Sequence, residues 1–327
     1  MSVNNATDNL YDGLFVIGDP HLEGRQPGFR RDDYPRVILR KLKWCLDYSE
    51  ENRLLPTILG DFFDKPRDNP TWMIGQLIEL FSRRPAIGIY GNHDCAETEL
   101  NDNDSLSILV KAGCIRLVSE LSPWRGLIRD RQVFVGGSSY RHPIPEEFSL
   151  ARRRRKNLFD HEPFVVWLTH HDISITGYDS GRLDPHEIRN VNLLINGHIH
   201  RELEDVQAGR TLWITPGNIT RRSRSDACRE HVPSGIQIDI YPDHFQRSRV
   251  VIPHEPFEQV FHETVVTDQL QISESGFVAG LAELNARRTE SGAGLHQFLA
   301  ANLDQFEQEV ADQILVLADL VTKKMDA

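Results

Sequence analysis

Five times along this chain a short apolar run stops at an aspartate, asparagine or histidine, and that repeated ending constrains the fold more than any other feature. Leu14 to Ile17 leads into Asp19-Pro20-His21, and Thr57 to Leu59 leads into Gly60-Asp61-Phe62-Phe63-Asp64. Ala86 to Tyr90 leads into Gly91-Asn92-His93-Asp94, Phe164 to Leu168 into His170-His171-Asp172, and Val191 to Ile195 into Gly197-His198-Ile199-His200. Apolar runs of this length, bounded by turn residues, read as buried strands. Open α/β sheets gather their ligands at the carboxyl ends of strands. The five endings are therefore expected to meet at one sheet edge.

The donors they would bring are carboxylates from Asp19 and Asp61, the amide oxygen of Asn92, and the imidazoles of His21, His170, His198 and His200. Seven oxygen and nitrogen donors without a cysteine are too many for one tetrahedral zinc. They suit two borderline-hard divalent ions that share a carboxylate. Ion pairs of that kind, about 3.5–4 Å apart, belong to phosphatases and nucleases.

The order Asp-x-His, Gly-Asp-x-x-Asp, Gly-Asn-His-Asp, His, Gly-His-x-His resembles the calcineurin-like metallophosphoesterase superfamily over about Phe15 to Asn218. That resemblance implies an α/β fold, a four-layer αββα sandwich with the dinuclear site at the strand ends. In it, Asp19, His21, Asp61 and His200 would hold one ion, and Asp61, Asn92, His170 and His198 the other. The cofactor expected is a pair of Mn²⁺ ions, with Fe²⁺, Zn²⁺ or Mg²⁺ as alternatives. The first of the two adjacent histidines, His170, aligns with the ligand, and His171 is left to support the loop or touch substrate. Asp64 matches a position from which it would orient the ring of His93, as carboxylates do around metal sites. His93 is not needed as a ligand and is expected to stabilise the transition state or protonate the leaving alkoxide.

Within the superfamily, Gly-Asp-Phe-Phe-Asp, the preceding Asp-Pro-His-Leu and Pro216-Gly217-Asn218 look like the SbcD branch, the nuclease subunits of double-strand-break repair complexes. Lys65-Pro66 stands where protein phosphatases of the superfamily carry Arg-Gly, which counts against a phosphoprotein substrate. The expected activity is a metal-dependent phosphodiesterase, a DNA nuclease acting as exo- or endonuclease. The alternatives are a phosphodiesterase for small molecules or cyclic nucleotides and, in another class, an inactive scaffold of the same fold. Seven polar donors at five strand ends argue against the scaffold.

Net charge bears on the choice of substrate. The chain of 327 residues carries −11, which is unpromising for a DNA enzyme. Residues 255–327, however, hold 13 acidic and 4 basic residues, leaving 35 against 33 in residues 1–254. A nearly neutral catalytic region lets local basic patches matter. Arg25, on the loop leaving His21, and Arg221, Arg222 and Arg224, after the last ligand strand, are candidate substrate-binding residues. The run Arg152-Arg153-Arg154-Arg155-Lys156 is a second candidate for phosphate contact. Its other reading is a solvated helix face.

Residues 1–253 are assigned to the catalytic domain and 254–327 to a C-terminal helical region. There Leu270 to Arg288 and Leu295 to Lys323 read as helices, the second with apolar positions from Leu299 to Val321 at three-to-four spacing. Such a stripe packs against a partner helix or folds back on its own domain. In the SbcD-like branch it would engage an SbcC-type ATPase. The same resemblance implies a homodimer paired through helices near the start of the domain, a role that the helices Tyr34 to Glu51 and Trp72 to Arg83 would fill. The four cysteines show no paired spacing, and no signal peptide or apolar run of spanning length is evident. A cytoplasmic location away from the membrane is expected.

Overall fold

The computed structural model describes residues 10–27, 30–149, 161–176, 178, 181–223 and 226–262. Arg224, the basic run 152–156 and both C-terminal helices of the sequence reading lie outside these residues.

In chain order the elements are β1 (Gly13–Ile17), α1 (Tyr34–Glu51), β2 (Leu54–Ile58), α2 (Thr71–Ser82), β3 (Ala86–Gly88), α3 (Ser105–Lys111), β4 (Ile115–Leu117), β5 (Trp124–Ile128) and β6 (Arg131–Ser138). There follow β7 (Phe164–Thr169), β8 (Leu193–Asn196), β9 (Val206–Ala208), β10 (Thr211–Ile214), α4 (Asp226–Glu230), β11 (Ser234–Ile240), β12 (Phe245–Val251) and α5 (Phe257–Val260). They form two six-stranded sheets, ordered β12-β11-β1-β2-β3-β4 and β5-β6-β7-β8-β10-β9. In the first sheet β1 to β4 are parallel, and in the second β6, β7, β8 and β10 are parallel. Every strand that ends in a candidate ligand belongs to one of these parallel runs.

Side-chain alternation along the strands divides the interior into layers. In β1, Leu14 and Val16 pack between the sheets, together with Val166 and Leu168 of β7. Phe15 and Ile17 face the other way, onto Ile38, Leu42, Cys45 and Leu46 of α1 and Leu77 and Phe81 of α2. Helix α1 begins where the Asp33 carboxylate accepts the Arg36 amide and proline occupies the first turn. On the far side of the second sheet, Val165 and Trp167 of β7 pack with Phe148, Ile173, Ile175 and Ile188. Among the described residues the outermost layer there is therefore loop rather than helix, so apolar side chains on irregular backbone seal that face.

The short strands β4, β5 and β9 carry no clean alternation and went unforeseen. Residues 254–262, which the sequence reading placed in the C-terminal region, carry α5. The amide of Arg31 donates to Val260 O at 2.8 Å, and Arg30 pairs with Phe261 in a β-bridge. No helix among the described residues is long and apolar enough to cross a membrane.

Candidate metal centre

The carboxyl ends of β1, β2, β3, β7 and β8 deliver the candidate ligands. Asp19, His21, Asp61 and His198 all sit at positive φ, at 30°, 46°, 44° and 69°. Side chains rarely adopt this region, and its cost of about 1–3 kcal/mol per residue is typically met at functional sites. Glycines make room for the cluster. A Cβ at Gly91 would overlap Asp61 Oδ1 and lie 2.6 Å from His170 Nε2. Gly60, at φ 98°, would place a Cβ 2.7 Å from His170 Nδ1.

Two triads result, Asp19–His21–His200 and Asp61–His170–His198, in each of which the donor atoms lie within 4.8 Å of one another. His21 Nε2 faces His200 Nε2 at 2.9 Å, and His200 Nε2 lies 3.7 Å from Asp19 Oδ2. Asp61 Oδ2 stands between the triads, 3.2 Å from His170 Nε2 and 3.6 Å from His21 Nε2. Asn92 Oδ1 completes the second group, 3.2 Å from His170 Nε2 and 3.1 Å from His198 Nδ1. His170 Nδ1 donates to Leu59 O at 2.7 Å. A carbonyl can only accept, so Nδ1 carries a proton. Against the pull of burial, the Asp61 and Asp19 carboxylates hold the ring up to about 10, and Nε2 would release its proton to a bound cation.

The electrostatics ask for cations. Both oxygens of Asp19 are buried with no hydrogen-bond partner among the described residues. Such orphaned carboxylate oxygens are costly in a protein interior. Burial, and then the neighbouring Asp61 carboxylate, push the Asp19 carboxyl up to about 8, although His170 pulls the other way. Burial also acts to raise Asp61, but His170, with His21 and His93 behind it, holds that carboxyl well below the usual range. Burial lowers His21 to about 4, so its imidazole is neutral and able to coordinate. Orphaned carboxylate oxygens, the neutral imidazoles of His21 and His200, a His170 whose proton a metal would displace, and an amide oxygen fit a pair of divalent cations.

His93 lies beside this set. Its amide donates to Asp61 Oδ1 at 2.8 Å, and its ring packs edge-on to His21 with centroids 4.9 Å apart. His93 also forms a donor triad with His21 and Asp61. The expected carboxylate contact from Asp64 is replaced by its main chain: His93 Nδ1 donates to Asp64 O at 2.8 Å, and the carboxylate Oδ1 is 3.5 Å away. That carboxylate instead meets Arg222 Nη1 at 2.6 Å.

The arginines separate. Arg25 is exposed on the loop that leaves His21. Arg222 joins Asp64 and approaches Glu23 at 3.7 Å. Arg221 takes other partners, donating through Nε to His231 O at 2.8 Å and through Nη1 to Glu255 O at 3.1 Å. Only 7% of it is exposed, and it lines a cavity that none of the candidate metal ligands reaches, rather than facing the metal centre beside Arg222.

Three contributors went unforeseen. The Asp94 carboxylate accepts the amides of Phe63 and Gly91, both at 2.9 Å, tying the β2 ending to the β3 ending. Asp172 Oδ1 lies 3.8 Å from His198 Nε2. Asn196 Oδ1 accepts from Thr169 Oγ1 and the His171 amide, joining the ends of β7 and β8. Asp94 and Asp172 were visible as acids closing Gly-Asn-His-Asp and His-His-Asp. His171 supports the loop, its Nε2 donating to His142 O at 2.8 Å.

No curated protein sequence matches the chain. Among solved structures, a dimetal phosphatase from Danio rerio aligns at 12% identity and a TM-score of 0.45, covering 75% of this chain and all of that one. A hypothetical protein from Thermus thermophilus aligns at 13% identity and a TM-score of 0.43, covering 73% of this chain and 99% of that one. The family model described as calcineurin-like phosphoesterase matches residues 14–202, more than half of the sequence and all five ligand-bearing strand ends, and the chain belongs to that family.

Proposed function

We propose that the chain is a dinuclear metal-dependent phosphodiesterase acting on DNA, a nuclease of the SbcD type. The observation that carries the hydrolytic reading is the buried Asp19 carboxylate without a donor, facing neutral His21 and His200 across a site that Asp61 shares with His170 and His198. Asp19, His21, Asp61 and His200 would hold one cation, and Asp61, Asn92, His170 and His198 the other. Two divalent cations, Mn²⁺ in this reading, would supply charge for the phosphate oxygens and hydroxide near neutral pH.

The chain's own groups orient and protonate. Leu59 O fixes the His170 tautomer. Asp64 O fixes that of His93 and leaves Nε2 as the atom that meets substrate. In its imidazolium form His93 gives the Nε2 proton to the departing alkoxide and is left as the neutral Nδ1–H tautomer, a contribution of about 10²–10⁴ in rate. Exposed Arg25 supplies charge along a phosphate backbone. A second reading, a phosphodiesterase for small diesters, is favoured by the pairing of Arg222 with Asp64 and the burial of Arg221, which together leave fewer cations for a long polyanion.

Turnover of the full chain with Mn²⁺ on linear double-stranded DNA, single-stranded DNA and bis-p-nitrophenyl phosphate tests these readings. Mn²⁺-dependent DNA cleavage supports the nuclease. Cleavage of the small diester with DNA left intact moves the assignment to the second reading. Metal bound without turnover on any of the three would leave the scaffold.

A further inference from the structure

A cavity of about 370 Å³ lies between α1 and the segments around Arg221 and His254, and none of the candidate metal ligands lines it. Arg30, Arg40, Lys41, Arg221 and His254 contribute to its wall, with Trp44 as the aromatic member. Only two carboxylate residues, Asp32 and Glu255, accompany them among the described residues.

Lys41 is the group that asks for a ligand. It sits on the inner side of α1 with 7% of its surface exposed. Its ammonium donates to Ile219 O at 2.7 Å. An ammonium has three N–H donors, and among the described residues no carboxylate lies within ion-pair distance of this one. Burial, reinforced by the cations of Arg30 and Arg221, lowers its pKa to about 7. A buried charge without a counter-ion is costly unless something supplies one.

The neighbouring carboxylates do not neutralise the wall. Asp32 is taken by Arg30, whose Nε and Nη2 reach it at 2.8 and 2.6 Å. Glu255 accepts from Arg221 with its main-chain oxygen rather than its carboxylate. Arg40 is exposed at the edge of the cavity.

We propose that this cavity is a second ligand site, separate from the metal centre, that binds a small organic phosphate with its phosphoryl group against Lys41, Arg40 and Arg221 and its body against Trp44. The volume exceeds what a bare phosphate needs and falls at the small end of ligand sites. Guanidinium and ammonium groups are the usual partners of phosphoryl oxygens. The site borders the metal centre along one segment of chain. Lys41 holds Ile219, Arg221 faces the cavity, and Arg222 faces Asp64.

The test is calorimetric titration of the full chain, treated with chelator so that no cation draws phosphate to the metal centre. The probes are AMP, inorganic phosphate and adenosine. AMP is expected to bind, adenosine not to bind, and both Arg40→Ala and Lys41→Met to weaken AMP at least tenfold while Arg222→Ala leaves it within twofold. Arg40 is exposed, so its variant folds even if Lys41→Met does not. Phosphate as tight as AMP would reassign the ligand to a free inorganic anion and overturn the role of Trp44. Absence of AMP binding, equal binding of adenosine, or loss in Arg222→Ala with retention in Arg40→Ala would overturn the proposal.

Discussion

Arg222 Nη1 stands 2.6 Å from Asp64 Oδ1, so the cation expected at substrate phosphates is held by the carboxylate expected to hold His93. Asp64 is almost fully buried and Arg222 about a quarter exposed, which makes this pair stronger than a surface ion pair. Arg222→Ala would leave a buried carboxylate without its cation. It is expected to lower stability by about 1–3 kcal/mol. Asp64→Asn in the Arg222→Ala background should cost much less than Asp64→Asn alone. A double-mutant cycle by urea denaturation measures the coupling, and a value near zero would mean that the pair does not form in solution.

His93 has its Nδ1 proton committed to a carbonyl, so a variant that keeps a donor near that position but loses the ring removes proton delivery alone. His93→Asn is expected to retain both metals and to lose about 10²–10⁴ in kcat. Metal content and kcat are measured on the same preparation. Loss of metal together with activity would instead make His93 a ligand in its triad with His21 and Asp61.

How much of this was legible follows from the kind of signal each residue emits. A buried parallel strand needs a continuous apolar run, and its ligand must come directly after it, so Asp19, Asp61, Asn92, His170 and His198 announce themselves in one dimension. Helix α1 was readable to its ends because its apolar spacing and its Asp33–Pro35 start agree. The short strands β4, β5 and β9 owe their pairing to neighbours far along the chain and carry no period of their own. The orientations of Arg221 and Arg222 were equally hidden. Adjacent in sequence, they turn to different partners because one meets the carbonyls of His231 and Glu255 and the other meets Asp64. Nor does a sequence show that a main-chain carbonyl, rather than the carboxylate of the same Asp64, would receive His93.

Gly91 has no room for a side chain, because a Cβ would overlap Asp61 Oδ1 and crowd His170 Nε2. His170 Nε2 is a candidate donor and Asp61 Oδ1 holds the His93 amide while Oδ2 of the same carboxylate faces the cluster, so neither side chain can yield without disturbing it. Gly91→Ala is expected to reduce bound metal from two ions to one or none. Because the strand is otherwise unaltered, the far-ultraviolet circular dichroism should be unchanged. Elemental analysis after equilibration with Mn²⁺ provides the count. A full complement of metal in this variant would show that Asp61 can move without loss of coordination.

His231 gives the fold a dependence on pH that does not pass through the candidate ligands. The ring is 8% exposed, and its Nε2 donates to Asn218 O at 2.8 Å. Burial, and then the charges of Arg221 and Lys41, lower its pKa to about 4. In the unfolded chain a histidine titrates near 6.5. Between these values the unfolded chain takes up a proton that the folded chain refuses, so the contribution is fully present above pH 6.5 and is lost as pH falls toward 4. A depression of that size corresponds to at most about 3 kcal/mol. Glutamine can still donate to Asn218 O but does not titrate, so His231→Gln should flatten the fall in Tm between pH 7 and pH 4.5 relative to the unsubstituted protein. Other carboxylates titrate in both proteins, and the difference between the two profiles isolates His231. Parallel profiles would mean that the ring is solvated enough to accept its proton while folded.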